Sequence, residues 1–412
     1  MTRRPRAVFI SPIAPARTGN GLAMRMGQFA EALAAIAELD IIVAPVAGDA
    51  GGGESFAGAR VQVASIVGRT DTQFAMLSRI DDAHSRLDAF RDYGKPSLAA
   101  PLSPSALADI ADRVAACRPD FVHIGRSYLS PCVERVPRRV AATLDLDEDD
   151  RMSFSSQARL ARARGQDAQA AWLEQEGVAC DRLVARWRLN FQRVFVAVAE
   201  DGFRLARRHP GLAWERVRNA VPIPPRRPKR DDGETLLFVG GLGYGPNADG
   251  VLWFCQEVLP RLRSRSAGSC RLWIAGGGVR AVAALARHPR VSLLGRVDSV
   301  ASLYERATLA LAPMRAGGGT RIKLLEAAAH GTASVATFEA TQGIDWPSGA
   351  AGWRARSSEA FAAACRTALS EPGERKRRAG RGQNWVRRYC ARDRVVAGLA
   401  RALARTFEEA GA

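Results

Sequence analysis

Short apolar runs alternate with longer stretches whose apolar residues recur every three or four positions, and this alternation persists along most of the chain. The first pattern suits strands buried on both faces and the second suits helices that cover them, so together they predict parallel sheets between helical layers. Residues 7–11 read as the first strand, 12–21 as a loop, 22–39 as a helix and 39–45 as the second strand. Residues 121–124, 140–146 and 194–199 are further strands, and 152–190 form one long charged helical stretch. Residues 71–107 are polar and helical without fitting the alternation, and 48–53 are glycine-rich and expected to be exposed.

Pro222, Pro224, Pro225 and Pro228 then punctuate residues 220–233, which therefore cannot form a helix or a central strand and read as a hinge. Beyond them the alternation restarts, with strands at 236–240, 271–275, 291–294, 309–313 and 334–337 and helices at 247–263, 297–305 and 322–329. The predicted class is α/β: two doubly wound, Rossmann-like domains facing each other across a cleft lined by the carboxyl edges of their sheets.

Composition narrows the functional classes. At 412 residues the chain exceeds what one core supports efficiently, in keeping with two domains. Its longest apolar runs, 39–46 and 194–199, fall far short of the roughly 18 residues of a membrane-spanning helix. The basic start resembles a secretion leader, but Ser11, Pro12 and Pro15 interrupt the apolar stretch too early. Sixty Lys and Arg against 42 Asp and Glu give a net charge of +18. Lysine occurs only at Lys95, Lys229, Lys323 and Lys376, so the charge is almost all arginine, and it is scattered. No basic stripe with interleaved aromatics exists, which excludes an evident nucleic-acid surface and leaves local positive fields suited to a phosphorylated substrate or an anionic membrane. The seven cysteines, 117, 132, 180, 255, 270, 365 and 390, have no metal or redox spacing and read as buried free thiols of a reducing cytoplasm.

The chemistry concentrates after the strand at 309–313. Arg315 and Ala316 lead into Gly317-Gly318-Gly319-Thr320, and a helix opens on Arg321, Lys323, Leu325 and Glu326. Glycines allow close backbone approach, free amides at a helix start favour an anion, and cations in a first turn oppose the helix dipole, so they call for a negative ligand. The arrangement reads as a seat for a diphosphate. Gly19-Asn20-Gly21 forms a comparable turn between the first strand and first helix. The carboxylates between Asp145 and Asp150 lack the spacing of a calcium loop and read as a solvated loop or an acceptor contact, and His84, His209 and His288 have no clustered partners, so no metal site is expected.

Several motifs together resemble the GT-B glycosyltransferases, in particular the retaining family 4. They are Leu237-Phe238-Val239-Gly240-Gly241-Leu242 with Pro246-Asn247-Ala248-Asp249-Gly250, Trp273-Ile274-Ala275-Gly276-Gly277-Gly278, Val291-Ser292-Leu293-Leu294-Gly295, and Leu324-Leu325-Glu326-Ala327-Ala328-Ala329-His330-Gly331. The resemblance implies a metal-independent enzyme, without a required cofactor, that moves a sugar from a nucleotide diphosphate donor to a sugar, lipid-linked or small-molecule acceptor. It implies an acceptor-side domain over 1–219, a donor domain over 234–380, and helices over 381–412 that return to the first domain. Gly240, Gly241 and the 317–319 glycines would line the donor, Glu326 would take its ribose hydroxyls, and Gly19 and Gly21 would shape the reaction centre. His123 would hydrogen-bond the transferred sugar, with Arg126 near the acceptor or a phosphate. Two departures stand out. The first of the family's paired glutamates falls on Gly318, and its usual diphosphate-binding Arg and Lys fall on Gly241 and Asn247. Arg321 and Lys323, with Arg315, are the substitutes. A non-catalytic nucleotide-sugar binder and a sugar-nucleotide epimerase are the alternative readings, and a nucleic-acid binder ranks last.

Overall fold

The computed structural model describes residues 3–47, 56, 58–64, 66, 70–226, 228–262, 270–347 and 351–411. The glycine-rich segment 48–53 lies outside them. Two compact units emerge: the first comprises Met1–Arg218 with Asp393–Ala412, and the second comprises Asn219–Arg392.

The first unit is built on seven parallel strands: β1 Arg6–Ser11, β2 Glu38–Val43, β3 Arg60–Val63, β4 Phe121–Gly125, β5 Ala141–Asp147, β6 Arg193–Val196 and β7 Trp214–Arg216. They lie in the order β3-β2-β1-β4-β5-β6-β7. The two-residue period of a strand divides their side chains between two helical layers. Val8, Ile10, Val122, Ile124, Leu144, Val194 and Val196 pack on one face with Ile110 and Val114 of helix Pro104–Cys117. Ala7, Phe9, Ile41, Val43, Phe121 and Phe195 pack on the other, under Met26, Phe29 and Leu33 of helix Gly21–Ile36 and Leu399 and Leu403 of helix Arg392–Gly411.

The second unit carries six parallel strands: β8 Thr235–Val239, β9 Arg271–Ala275, β10 Val291–Gly295, β11 Leu309–Ala312, β12 Ser334–Thr337 and β13 Gly352–Ala355. Their order is β10-β9-β8-β11-β12-β13. Both sheets therefore reverse direction once, at β1/β4 and at β8/β11, which is the doubly wound plan. The α/β class and two-sheet architecture agree with the sequence reading.

The differences have local causes. Strands β3, β7 and β13 are not evident in the sequence because they are sheet-edge strands of three or four residues with little buried apolar surface. The stretch 152–190 is two helices, Asp150–Arg162 and Asp167–Trp187, parted at Gly165, whose φ of 71° ends the first. Residues 71–107 hold helices Thr72–Leu77 and Ala83–Tyr93 and the start of Pro104–Cys117. The expected hinge belongs to the second unit. Lys229 donates from Nζ to the Tyr304 carbonyl, to the Ala307 carbonyl at 2.7 Å and to Thr332 Oγ1 at 2.9 Å. Val221 pairs with Ala391 in a parallel bridge. The chain returns to the first unit at Asp393, later than the expected 381. All seven cysteines are free and buried. Among the described residues no helix is long and apolar enough to cross a membrane.

Candidate functional site

Strands β8 and β11 are neighbours whose following connections run to opposite sides of the sheet, and such a divergence leaves a crevice at the carboxyl edge. The loop after β8 runs through Gly240 and Gly241 to Tyr244, where helix Gly245–Trp253 begins. The loop after β11 runs from Pro313 to Arg321, where helix Ile322–Ala329 begins. Gly317 and Gly319 hold φ values of 101° and 68°. A Cβ on Gly317 would lie 2.6 Å from the Tyr244 hydroxyl and 3.1 Å from Arg321 Nη2, so glycine is required there for conformation and for space.

Lys323 reaches across from one loop to the other. Its Nζ donates to Asn247 Oδ1 at 2.8 Å and lies 3.6 Å from Met314 Sδ and 3.9 Å from the centre of the Phe238 ring. Asn247 Nδ2 in turn donates to the Gly241 carbonyl at 2.8 Å. The ammonium thus lies against Asn247, the residue of the β8 loop on which the family's usual lysine would fall. Burial, aided by the Arg321 guanidinium, pushes its pKa well below the usual lysine range, against the pull of Glu326. A Cβ on Gly240 would come within 2.7 Å of Nζ, so the glycine admits the lysine.

Glu326 lies one helical turn on, where Tyr304 donates its hydroxyl towards Oε2 at 3.4 Å and towards the Lys323 carbonyl at 3.2 Å. Burial raises its carboxyl pKa to about 7, with Tyr304 and Lys323 opposing the rise. No side chain caps the first turn of helix Ile322–Ala329, so its leading amides remain available to an anion.

Other sequence candidates have different surroundings. Arg321 folds back on its own loop, donating from Nη1 to the Gly318 carbonyl and from Nη2 to the Ala316 carbonyl at 3.3 Å. It braces the glycine bend, while Gly318, Gly319 and Thr320 remain half-exposed beside it. Arg315 is drawn away to Asp249, donating from Nη2 at 2.8 Å and from Nε at 3.1 Å, and does not join Lys323 and Glu326. The Leu325 side chain is buried on the inner side of its helix, so only its backbone could face a ligand.

In the first unit Gly19 and Gly21 form an exposed turn after β1, and Asn20 Oδ1 accepts from the Ala23 amide at 3.0 Å to cap helix Gly21–Ile36. His123 corrects the sequence reading. It is the third of five residues in β4, fully buried, stacked on Phe29 at 4.3 Å and flanked by Phe9 and Phe195. Its Nδ1 meets Thr143 Oγ1 at 2.9 Å. Burial, with Arg25 nearby, lowers its pKa to about 3, so it is a neutral core residue without access to a sugar.

The acidic segment 145–150 is likewise not a solvated loop. Asp145 holds the buried Arg25 with bonds of 2.7 and 3.0 Å, Asp149 holds Arg208 with bonds of 2.8 and 2.9 Å, and Asp150 holds Arg126 at 2.7 Å. Buried carboxylates are tolerable only when so paired. Arg126, also donating to the Leu146 carbonyl at 2.5 Å, is engaged in this network. Among the described residues no group of three or more His, Cys, Asp or Glu gathers as a metal site would require. Sequence reasoning missed Tyr244, Tyr304 and Phe238 as neighbours of Gly317, Glu326 and Lys323. The run Tyr244-Gly245-Pro246-Asn247 straight after a glycine turn was the available signal for the first of them.

Residues 233–371 match the family described as Glycosyl transferases group 1. No curated protein sequence matches the chain significantly. Among solved structures, a sucrose-phosphate synthase from Thermosynechococcus elongatus is similar with a TM-score of 0.70 and 14% identity, over 98% of this chain and all of that one. Anabaena HepE in complex with UDP-glucose gives a TM-score of 0.63 and 11% identity, over 97% of this chain and 100% of that one. An α,α-trehalose-phosphate synthase (UDP-forming) from Burkholderia xenovorans, in complex with glucose-6-phosphate, gives 0.60 and 12%, over 98% and 100%. The chain therefore has the GT-B fold, and the segment of its second unit that carries the Lys323 and Glu326 cluster matches Glycosyl transferases group 1.

Proposed function

We propose that the protein is a metal-independent, retaining glycosyltransferase that takes a sugar from a nucleotide diphosphate donor and passes it to an acceptor hydroxyl. The observation that carries this reading is the half-buried Lys323 ammonium at the β8/β11 reversal, held by an amide oxygen instead of a carboxylate. A lysine so placed costs desolvation energy that a bound diphosphate offsets. The family match over the same residues and the UDP-glucose complex of a similar fold support the reading.

In this reading Lys323 and the leading amides of helix Ile322–Ala329 bind the diphosphate, Arg321 keeps the glycine bend in shape, and Glu326 accepts the ribose hydroxyls. The bond from the sugar's anomeric carbon to the diphosphate breaks as the acceptor oxygen bonds to that carbon on the same face. The acceptor's proton passes to the departing phosphate, so no side-chain base is needed. Charge accumulates on the leaving group, and stabilisation by groups already in place is the main contribution of the protein.

Thermal-shift measurements with UDP-, GDP-, ADP-, TDP- and CMP-sugars test donor binding. A donor at a hundred times its Kd stabilises the fold by about 2.7 kcal/mol. Lys323→Met, which keeps the apolar stem, is expected to weaken the responding donor about tenfold or more, the scale of one charge-assisted hydrogen bond. Silence across the panel overturns the reading. Gly318, standing where a sugar-contacting glutamate was expected, favours one rival, a binder without catalysis. Release of free nucleotide diphosphate with an acceptor present separates the two.

A further inference from the structure

Helix Pro372–Tyr389 packs against its unit through Ala379, Gly382, Trp385 and Val386. At 100° per residue these fall on one arc of the helix, and the opposite arc carries Lys376, Arg377, Arg381, Asn384 and Arg388, all exposed. Arg226, exposed on the neighbouring segment, donates from Nη2 to Asn384 Oδ1 at 3.0 Å and adds a fifth cation to the same face.

This face lacks the compensation found elsewhere in the molecule. No Asp or Glu occurs between residues 375 and 392. Glu374, in the first turn, is taken up by Arg377 and by Arg378 at 2.6 Å. Lys376, Arg381, Arg388 and Arg226 have no carboxylate at ion-pair distance among the described residues. By contrast, the arginines Arg25, Arg126 and Arg208 of the first unit all lie on carboxylates. From Lys376 to Arg388 the row extends about 18 Å at the helical rise. At its end Tyr389 is 41% exposed, with the Arg388 guanidinium 5.3 Å from its ring centre. An amphipathic ring beside cations suits the depth of lipid head groups. A row of exposed aromatics, which single-stranded nucleic acid would stack on, is not present on this face.

We propose that the exposed face of helix Pro372–Tyr389, together with Arg226, docks the protein on an anionic lipid bilayer. The inference stands apart from the donor assignment, since none of these side chains belongs to the Lys323 and Glu326 cluster.

Sedimentation of the full-length protein with phosphatidylcholine vesicles, and with vesicles in which about a third of the lipid is phosphatidylglycerol, tests it. Binding is expected only to the anionic vesicles and is expected to weaken as salt rises. Each Lys or Arg at such a surface strengthens partitioning about fivefold, so Lys376→Glu, Arg381→Glu and Arg388→Glu together lower it by about a hundredfold or more. Arg135→Glu, Arg138→Glu and Arg139→Glu, at exposed positions of the first unit, change the net charge equally and are expected to leave partitioning within about threefold of wild type. Should reversal cost stability, the neutral set Lys376→Gln, Arg381→Gln and Arg388→Gln gives the same reading with a smaller loss. The proposal fails if wild type ignores anionic vesicles, if both glutamate triples lose binding alike, or if the helix triple binds as wild type. It also fails if a DNA duplex competes the protein off the vesicles at equal anion concentration, which would mark the face as a nucleic-acid surface.

Discussion

Glu326 and His123 show how burial moves two titratable groups in opposite senses with opposite consequences. For Glu326 the folded pKa of about 7 lies above the ordinary carboxylate value, so the folded state holds a proton that the unfolded chain has lost. Its contribution to stability therefore falls as pH rises from about 4.5 to about 7. In the proposed donor site ligand binding runs the other way, because an ionised Glu326 would be the better acceptor for ribose hydroxyls. Donor affinity is expected to rise as Glu326 ionises around pH 7 and to fall again at higher pH as Lys323 loses its proton, with Glu326→Gln abolishing the rise. Titration calorimetry as a function of pH checks this, and a flat wild-type profile would remove Glu326 from the donor site. His123, lowered to about 3, stays neutral while an unfolded chain gains a proton below about 6.5, so it withdraws stability as the solution becomes acid. Its misassignment has an identifiable source. The sequence ended the strand at Ile124, which placed the histidine near an edge, and the enclosing rings of Phe9, Phe29 and Phe195 come from three distant parts of the chain. No local pattern reveals such an enclosure. Arg315 was equally opaque, since its partner Asp249 lies 66 positions away.

At the scale of elements, the interior strands were legible because continuous apolar runs such as Phe9-Ile10 and Leu309-Ala310-Leu311-Ala312 have no other favourable place. Edge strands gave no such signal. The long helical stretch hid its break because Gly165 is a single residue in an otherwise charged helical pattern. Two glycines separate what a packed element tolerates from what a site needs. A Cβ on Gly250 would lie 2.7 Å from the Pro313 carbonyl oxygen, a contact between helix Gly245–Trp253 and rigid backbone. A Cβ on Gly240 would meet the movable end of Lys323 instead. Gly250→Ala is therefore expected to lower stability by about 1–3 kcal/mol. Gly240→Ala, at a φ of 158° that side chains rarely adopt, is expected to lower stability too, but unlike Gly250→Ala it is also expected to weaken donor binding, because the ammonium must move. Equal effects of both substitutions on both measurements would contradict this division.

On the scale of the whole molecule, the two-unit plan followed from the restart of the alternation after the prolines. What those prolines do was not legible. A segment that composition alone marks as loose is fastened by one lysine, whose pKa burial lowers to about 8, to two carbonyls and a hydroxyl. The return of the C-terminal helices to the first unit was expected from the resemblance alone; no local pattern marks helix Arg392–Gly411 as completing that unit's core, because its partners lie far back in the chain. Leu403, fully buried there, is expected on replacement by Ala to cost about 2–5 kcal/mol. Hydrogen exchange should show lost protection in β1, β2 and helix Gly21–Ile36, with β8 to β12 unaffected. Uniform loss across both units would contradict their separateness.

That returning helix also orders events during synthesis. The first sheet leaves the ribosome with one apolar face covered only in part, by helix Gly21–Ile36, and the residues that complete the cover, Leu399, Leu403 and Phe407 against Phe121, come only after 219–392 have been made. At about 5–20 residues per second the wait is on the order of ten to forty seconds. The second unit, continuous in sequence, can mature during that interval. The half of the protein translated first is thus the half finished last, and its nascent chain is a natural client for holding chaperones.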